Sequence, residues 1–179
     1  AALDFGMPTG VSEIEARIEV LLRSGEVVRG RGRDASMMTT ARALQAEENI
    51  LREVAAGQGQ GQALVPSGEA GKMLQAQARK SNGFDLNVGQ EAAGRLLLTS
   101  INRIIAIQGV AGAGKSTMLK PVARLIEAQG RVVLGVAVQN TLVQMLKRDL
   151  DIPAMTLARF LGQHAALLGD NPDAQKLGE

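Results

Sequence analysis

An α/β fold, with a partial parallel sheet preceded by a flexible and mostly helical N-terminal region, is predicted for this chain by three observations. Residues 104–107 (IIAI) form a short apolar, β-rich run; a glycine-rich loop and an amphipathic helix follow; and residues 131–138 return to a continuous apolar run. Strand, helix and strand in that order make a parallel pair joined by a right-handed crossover. Two strands fall short of the roughly five or six usual in a doubly wound sheet, so the sheet is expected to be incomplete.

In residues 12–23, Ile14, Ile18, Leu21 and Leu22 share one helical face, with Ser12 as the expected N-cap and Glu15 completing a capping box. Residues 26–33 read as a short strand or hairpin arm in which Val27 and Val28 precede Arg29, Arg31 and Arg33. A helix followed by a basic strand is compatible with part of a winged-helix module, and equally with an ordinary helix and loop. A second amphipathic helix is expected from residue 39 or 40 to about residue 55. Residues 57–68 are rich in glycine and glutamine, the composition of a linker. The expected organisation is therefore a helical region 1–56, a linker 57–69 and an α/β part 70–179, with everything before about residue 85 mobile relative to the α/β part.

Residues 70–80 are a short helical candidate. Asn87 then reads as the N-cap of a helix carrying Ala92, Ala93, Leu96 and Leu97, with Gln90 at its third position. That helix feeds the apolar run at 104–107 and the loop Gly109, Val110, Ala111, Gly112, Ala113, Gly114, Lys115 and Ser116, which meets the phosphate-loop pattern G-x-x-x-x-G-K-[ST] at every specified position. The chemistry explains the spacing. Phosphate oxygens need several backbone N–H groups pointing inward at once, and Gly109, Gly112 and Gly114 let the chain turn without a Cβ in the way. Lys115 would neutralise the outer phosphates of ATP, the Ser116 hydroxyl would complete the shell of a Mg²⁺, and the positive end of the helix through Ser116 and Thr117 faces the same charge. The bland alternative is a glycine-rich turn with a chance lysine.

After the loop, Met118, Val122, Leu125 and Ile126 form the apolar face of the crossover helix, which Gly130 ends and in which Pro121 is expected in the first turns. Residues 141–150 read as a helix with Leu142, Val143, Met145 and Leu146 inward, broken by Ile152 and Pro153. A final helix is expected over 156–168, with Leu157, Phe160 and Leu161 in the core, before a tail of turn-forming residues.

Composition excludes some classes. The 179 residues contain no cysteine and one histidine, so disulfides, thiolate metal sites and histidine-built metal sites are out, and a reducing cytoplasm is the simplest home. No apolar run approaches the length of a membrane span, and the opening AALDFGMPTG has neither an initiator methionine nor a signal-peptide pattern, as expected of a piece of a longer protein. Net charge is only +2, but the pI is about 9.3, and Arg29, Arg31 and Arg33 would suit a phosphate backbone; a solvated basic loop is the alternative. With three phenylalanines and no tryptophan or tyrosine, base-stacking platforms are poorly supplied.

Nucleotide turnover by phosphate-loop enzymes needs a second, acidic motif at the end of another strand. No apolar strand ending in Asp or Glu follows residue 138, so the chain is expected to bind nucleotide weakly and not to hydrolyse it.

The run FDLNVGQEAAGRLLLTSINRIIAIQGVAGAGKSTML resembles the opening of RecD-like superfamily 1 helicases, in which a glutamine before the phosphate loop reads adenine; Gln90 matches that glutamine. VVLGVAVQNTLVQML and AMTLARFLG resemble the next two helicase motifs, which grip single-stranded DNA, and the resemblance assigns Gln139, Asn140 and Thr156 to that contact. Together with MTTARALQAEENIL upstream, the pattern is similar to the large conjugative relaxase-helicases of F-type plasmids, over roughly residues 36–162. These join a relaxase to two RecD-like sections with a RecA-like sheet, the first commonly described as a degenerate helicase that binds single-stranded DNA. Ala137, Val138 and Gln139 stand where an intact helicase has Ala-Pro-Thr, which removes a hydroxyl that contacts DNA and favours the degenerate section; the intact phosphate loop points the other way.

The resemblance implies a monomeric, non-catalytic module that binds single-stranded DNA and meets other conjugation proteins. The rival expectation is the nucleotide-binding half of a working ATPase whose catalytic acid lies beyond residue 179.

Overall fold

The computed structural model describes residues 10–164, which fall into two compact units that divide between residues 58 and 59. In the first unit, α1 (Val11–Arg23) runs into an antiparallel hairpin of β1 (Val27–Arg29) and β2 (Met38–Thr40), and α2 (Ala41–Ala56) follows directly. Ile14, Ile18, Leu21 and Leu22 are the half-buried positions of α1, as their spacing predicts, and α1 packs on β1. The helix starts earlier than expected. Gly10, not Ser12, is its N-cap, because the Glu13 carboxylate reaches back to accept from the Gly10 N–H at 3.2 Å. The hairpin pairs Val27 with Thr40, so Thr39 and Thr40 end a strand before Thr40 caps α2 by accepting from Ala43 N–H. No residue of α1 or α2 is buried.

In the second unit the core lies between three helices, α3 (Ser67–Asn82), α4 (Val88–Thr99) and α5 (Lys115–Glu127). Leu74, Leu98, Met118 and Pro121 are fully enclosed there, with Ala70 and Ala78 letting α3 approach its neighbours. Most of the stretch expected as a linker docks on this unit instead. Leu64 and Val65 N–H groups both donate to the Leu98 carbonyl, Gly59 N–H donates to Asn102 Oδ1, and Val65 is 2% exposed. Residues 59–82 are thus integral to the core of this unit, and the expectation of mobility for everything before residue 85 does not extend to them. Their composition is linker-like because the docking uses backbone donors.

The parallel sheet is smaller and differently built than expected. It contains β3 (Gly135–Ala137) and β4 (Ala154–Thr156), in register Gly135 to Ala154 and Ala137 to Thr156, joined by α6 (Asn140–Leu150). Residues 104–107 form no ladder, although burial alternates along them as in a strand, Ile105 and Ile107 inward. β4 occupies a stretch read as a helix break and helix start. Pro153 does not oppose it, since the proline carbonyl accepts from Gly135 N–H and no proline N–H is needed. Gly135 allows the strands to close: a Cβ there would lie 3.1 Å from Ala154 Cβ and 3.2 Å from Leu146.

Arg124 ties α5 to the end of α6, donating to Glu127, to the Leu150 carbonyl and to Asp151. Val143 is buried as expected in α6, but Leu142 and Met145 are exposed. In α7 (Leu157–Gln163) Leu157 is exposed and Phe160 is half-buried and stacked on His164, so these are not core positions; residues 165–168 of the expected helix, and the tail, lie outside the described residues. Among the described residues no helix is long and apolar enough to cross a membrane.

Candidate functional site

The phosphate loop turns between the extended run at 104–107 and α5. Gly112 and Gly114 adopt φ of 78° and 73°, the left-handed region that glycine enters without strain. Ala113 N–H donates to the Val110 carbonyl at 3.2 Å, which tightens the loop. Lys115 folds across it: Nζ donates to the carbonyls of Gly109 at 2.6 Å and Val110 at 3.0 Å. The ammonium therefore already sits over the loop, held by neutral acceptors that an anionic ligand would replace.

The second wall is the start of α4. Asn87 and Gln90 form a reciprocal capping box: Gln90 N–H donates to Asn87 Oδ1 at 2.9 Å, and Asn87 N–H donates to Gln90 Oε1 at 3.1 Å. With its oxygen so engaged, Gln90 presents Nε2 forward, where it donates to the Ala113 carbonyl at 3.2 Å. A Cβ at Gly114 would collide with that Nε2. Between the walls lies a cleft of about 390 Å³ whose lining includes Asn87, Gln90, Ile107, Gly109, Gly114 and Lys115. The structure thus brings together the sequence-marked residues Gln90, Gly109, Gly114 and Lys115, while Val110, Ala111 and Ser116 lie exposed around them and Thr117 is half-buried.

These residues fit a nucleoside triphosphate. The loop supplies left-handed glycines, the first turn of α5 supplies free N–H groups, and Lys115 supplies a cation that, among the described residues, has no carboxylate bound to it. Ser116 would offer its hydroxyl to Mg²⁺. Among the described residues no cluster of three or more His, Cys, Asp or Glu could hold a metal without the nucleotide, so nucleotide oxygens and water would fill the remaining positions.

Helix α3, read from sequence only as a short candidate, holds both walls. Pro121 is the seventh residue of α5, deeper than the first turns expected, and its missing N–H leaves the Thr117 carbonyl without an intrahelical donor. Asn82 at the end of α3 fills the gap, Nδ2 donating to that carbonyl at 2.9 Å. Gln75, in the middle of α3, pairs with the backbone of Leu86 just before Asn87. Sequence reading missed both residues. The Asn82-Gly83 pair, with Gly83 at φ 82°, was the available signal for the helix end; nothing in the pattern marks Gln75.

The residues assigned to DNA fall into two groups. Arg29 lies on β1 with Glu19 3.6 Å away, while Arg31 and Arg33 stand exposed in the turn of the hairpin with no ion pair among the described residues. In the second unit, Gln139 caps α6 without a side-chain bond, Asn140 is its first residue, and Thr156 ends β4 opposite Ala137. All three lie at the carboxyl edge of the parallel pair, where open α/β sheets place their ligands. Thr156 Oγ1 accepts from Arg159 N–H at 3.2 Å, which leaves its proton available to a ligand.

Two curated relatives are similar to this chain. Both are multifunctional conjugation protein TraI, one from Escherichia coli strain K12 and one from Escherichia coli, each 27% identical over 176 residues that cover 92% of this chain. The chain spans about 9% of the length of those relatives. A family model described as AAA domain matches residues 85–178, from the turn before the Asn87 cap through the phosphate loop and the parallel strand pair. That match takes in more than half of the 179 residues, and the chain belongs to the AAA domain family.

Proposed function

We propose that this chain is a helicase-like section of a conjugative relaxase-helicase that acts in plasmid DNA transfer, binding single-stranded DNA and holding ATP with Mg²⁺ without turning it over. The observation that carries the reading is the gathering of Gln139, Asn140 and Thr156 at one sheet edge in the same unit as the Gln90 and Lys115 cleft. The likeness to TraI supports the conjugative setting. In this reading the region 1–56 adds phosphate contacts through Arg29, Arg31 and Arg33, and the protein works in the cytoplasm beside other conjugation proteins.

None of the residues lining the cleft is a carboxylate, so an acid to orient water would have to come from elsewhere. The second reading, a nucleotide-binding half of an active ATPase, is favoured by the complete phosphate loop alone.

Fluorescence anisotropy of a labelled single-stranded oligonucleotide, titrated across a salt series, tests the proposal. With stacking scarce, affinity falls with a log-log slope of about −0.7 per phosphate neutralised. Single strands are preferred over duplex; Arg31→Ala and Asn140→Ala weaken binding, and Lys115→Ala does not. Loss of DNA binding in Lys115→Ala with Arg31→Ala and Asn140→Ala unchanged would mean that DNA merely occupies the phosphate loop. ATP turnover that disappears in Lys115→Ala would favour the ATPase reading.

A further inference from the structure

We propose that Gln75 on α3 is a positioning residue for the base side of the nucleotide cleft; the inference rests on the nucleotide reading above. The side-chain amide of Gln75 faces the backbone of Leu86 as one strand faces another. Leu86 N–H donates to Gln75 Oε1 at 2.9 Å, and Gln75 Nε2 donates to the Leu86 carbonyl at 3.0 Å. The second Nε2 proton goes to Glu91 Oε2, 2.8 Å away on α4. Both Nε2 protons are used, and flipping the amide would set its oxygen against a carbonyl and a carboxylate, so the side chain has one orientation.

From Leu86 the constraint passes along a short path. Leu86 is 5% exposed and anchored in the core. Asn87 follows it, and the Asn87 N–H and Oδ1 hold the side chain and backbone of Gln90. Gln90 in turn spans the cleft to Ala113 of the phosphate loop. Gly71, one turn before Gln75, leaves room for the Glu91 side chain, because a Cβ there would lie 2.9 Å from Glu91 Oε1. The phosphate wall depends on α3 through a different residue, Asn82, which bonds the Thr117 carbonyl. Gln75 itself therefore touches no residue of the phosphate loop and reaches it only through the Gln90 amide, the group that the helicase resemblance assigns to adenine.

That separation gives the test. Isothermal titration of the whole chain with Mg-ATP and with Mg-tripolyphosphate compares a ligand that has a base with one that has none. Gln75→Met fills similar volume without the hydrogen bonds; it weakens ATP binding about five- to tenfold and leaves tripolyphosphate binding within about twofold. Gln75→Ala, which removes the same hydrogen bonds without placing a charge beside Glu91, shows the same selective loss and carries the test if the Met variant does not fold. Parallel losses for both ligands would make Gln75 merely structural, and no loss for either would leave it without a role; each result overturns the inference while the nucleotide reading stands. A wild-type chain that binds neither ligand would overturn both.

Discussion

Replacing Gly112 and Gly114 separately with alanine isolates what the Gln90 contact is worth. Both glycines have nearly the same left-handed φ, 78° and 73°, so each alanine meets the same backbone penalty of about 1–2 kcal/mol. About 0.4–1 kcal/mol of this is offset by the smaller entropy of the unfolded chain. The surroundings differ. A Cβ at Gly112 meets nothing within 4 Å, whereas one at Gly114 strikes Gln90 Nε2. The amide is the far end of a side chain and can swing away, but in doing so it gives up its bond to the Ala113 carbonyl, about 0.5–1.5 kcal/mol. Gly114→Ala should thus be less stable than Gly112→Ala by about 1 kcal/mol, roughly 3–6 °C in the unfolding midpoint for a unit of this size. Thermal unfolding by circular dichroism measures the difference, and the Gln90 side-chain amide resonance, displaced only in Gly114→Ala, assigns it. Equal midpoints for the two variants, or an unmoved Gln90 resonance in Gly114→Ala, would refute the contact as described.

Asn82→Ala leaves the Thr117 carbonyl without its donor and should cost about 1–3 kcal/mol in urea unfolding. In a Pro121→Ala background the same change should cost under about 1 kcal/mol, because the restored N–H can reach that carbonyl. Arg124→Ala should cost about 1–2 kcal/mol through the lost bonds to Glu127, the Leu150 carbonyl and Asp151. The guanidinium pKa is raised, chiefly by the bond to Glu127, with burial opposing and the charges of Glu127 and Asp151 adding. A raised pKa gives a contribution that is complete below the unfolded value and lost only as pH climbs through the folded one, far above neutrality. The cost of Arg124→Ala attributable to that guanidinium should therefore be the same at about pH 6 and about pH 9, measured by urea unfolding at each.

The candidate cleft was legible because its letters stand at fixed spacing: the loop from Gly109 to Ser116, and Asn87 three residues before Gln90, each carry their own local chemistry. The sheet was not. The three residues of β4 sit beside a proline and owe their conformation to β3, seventeen or more residues earlier in the chain, so no local pattern marks them. α3 was underestimated for a different reason. Its inward positions Ala70, Leu74 and Ala78 are mostly small, which is what lets two helices press on it and what makes its periodicity faint. The stretch 59–65 misled by composition, since its attachment runs through the N–H groups of Gly59, Gly61, Leu64 and Val65, which no side-chain pattern reports.

The position of α3 in the chain matters for how the protein is made. It precedes both helices it organises, so on a ribosome working at about 5–20 residues per second α3 is finished a few seconds before the last residue of α5 is added. Until α4 and α5 are in place its inner stripe has no partner, with Leu74 the one large apolar side chain among Ala70, Ala78 and Gly71. A stripe so lightly apolar offers little for a nascent chain or a neighbour to stick to. The same small residues that let α4 and α5 close on α3 keep it inoffensive while it waits for them.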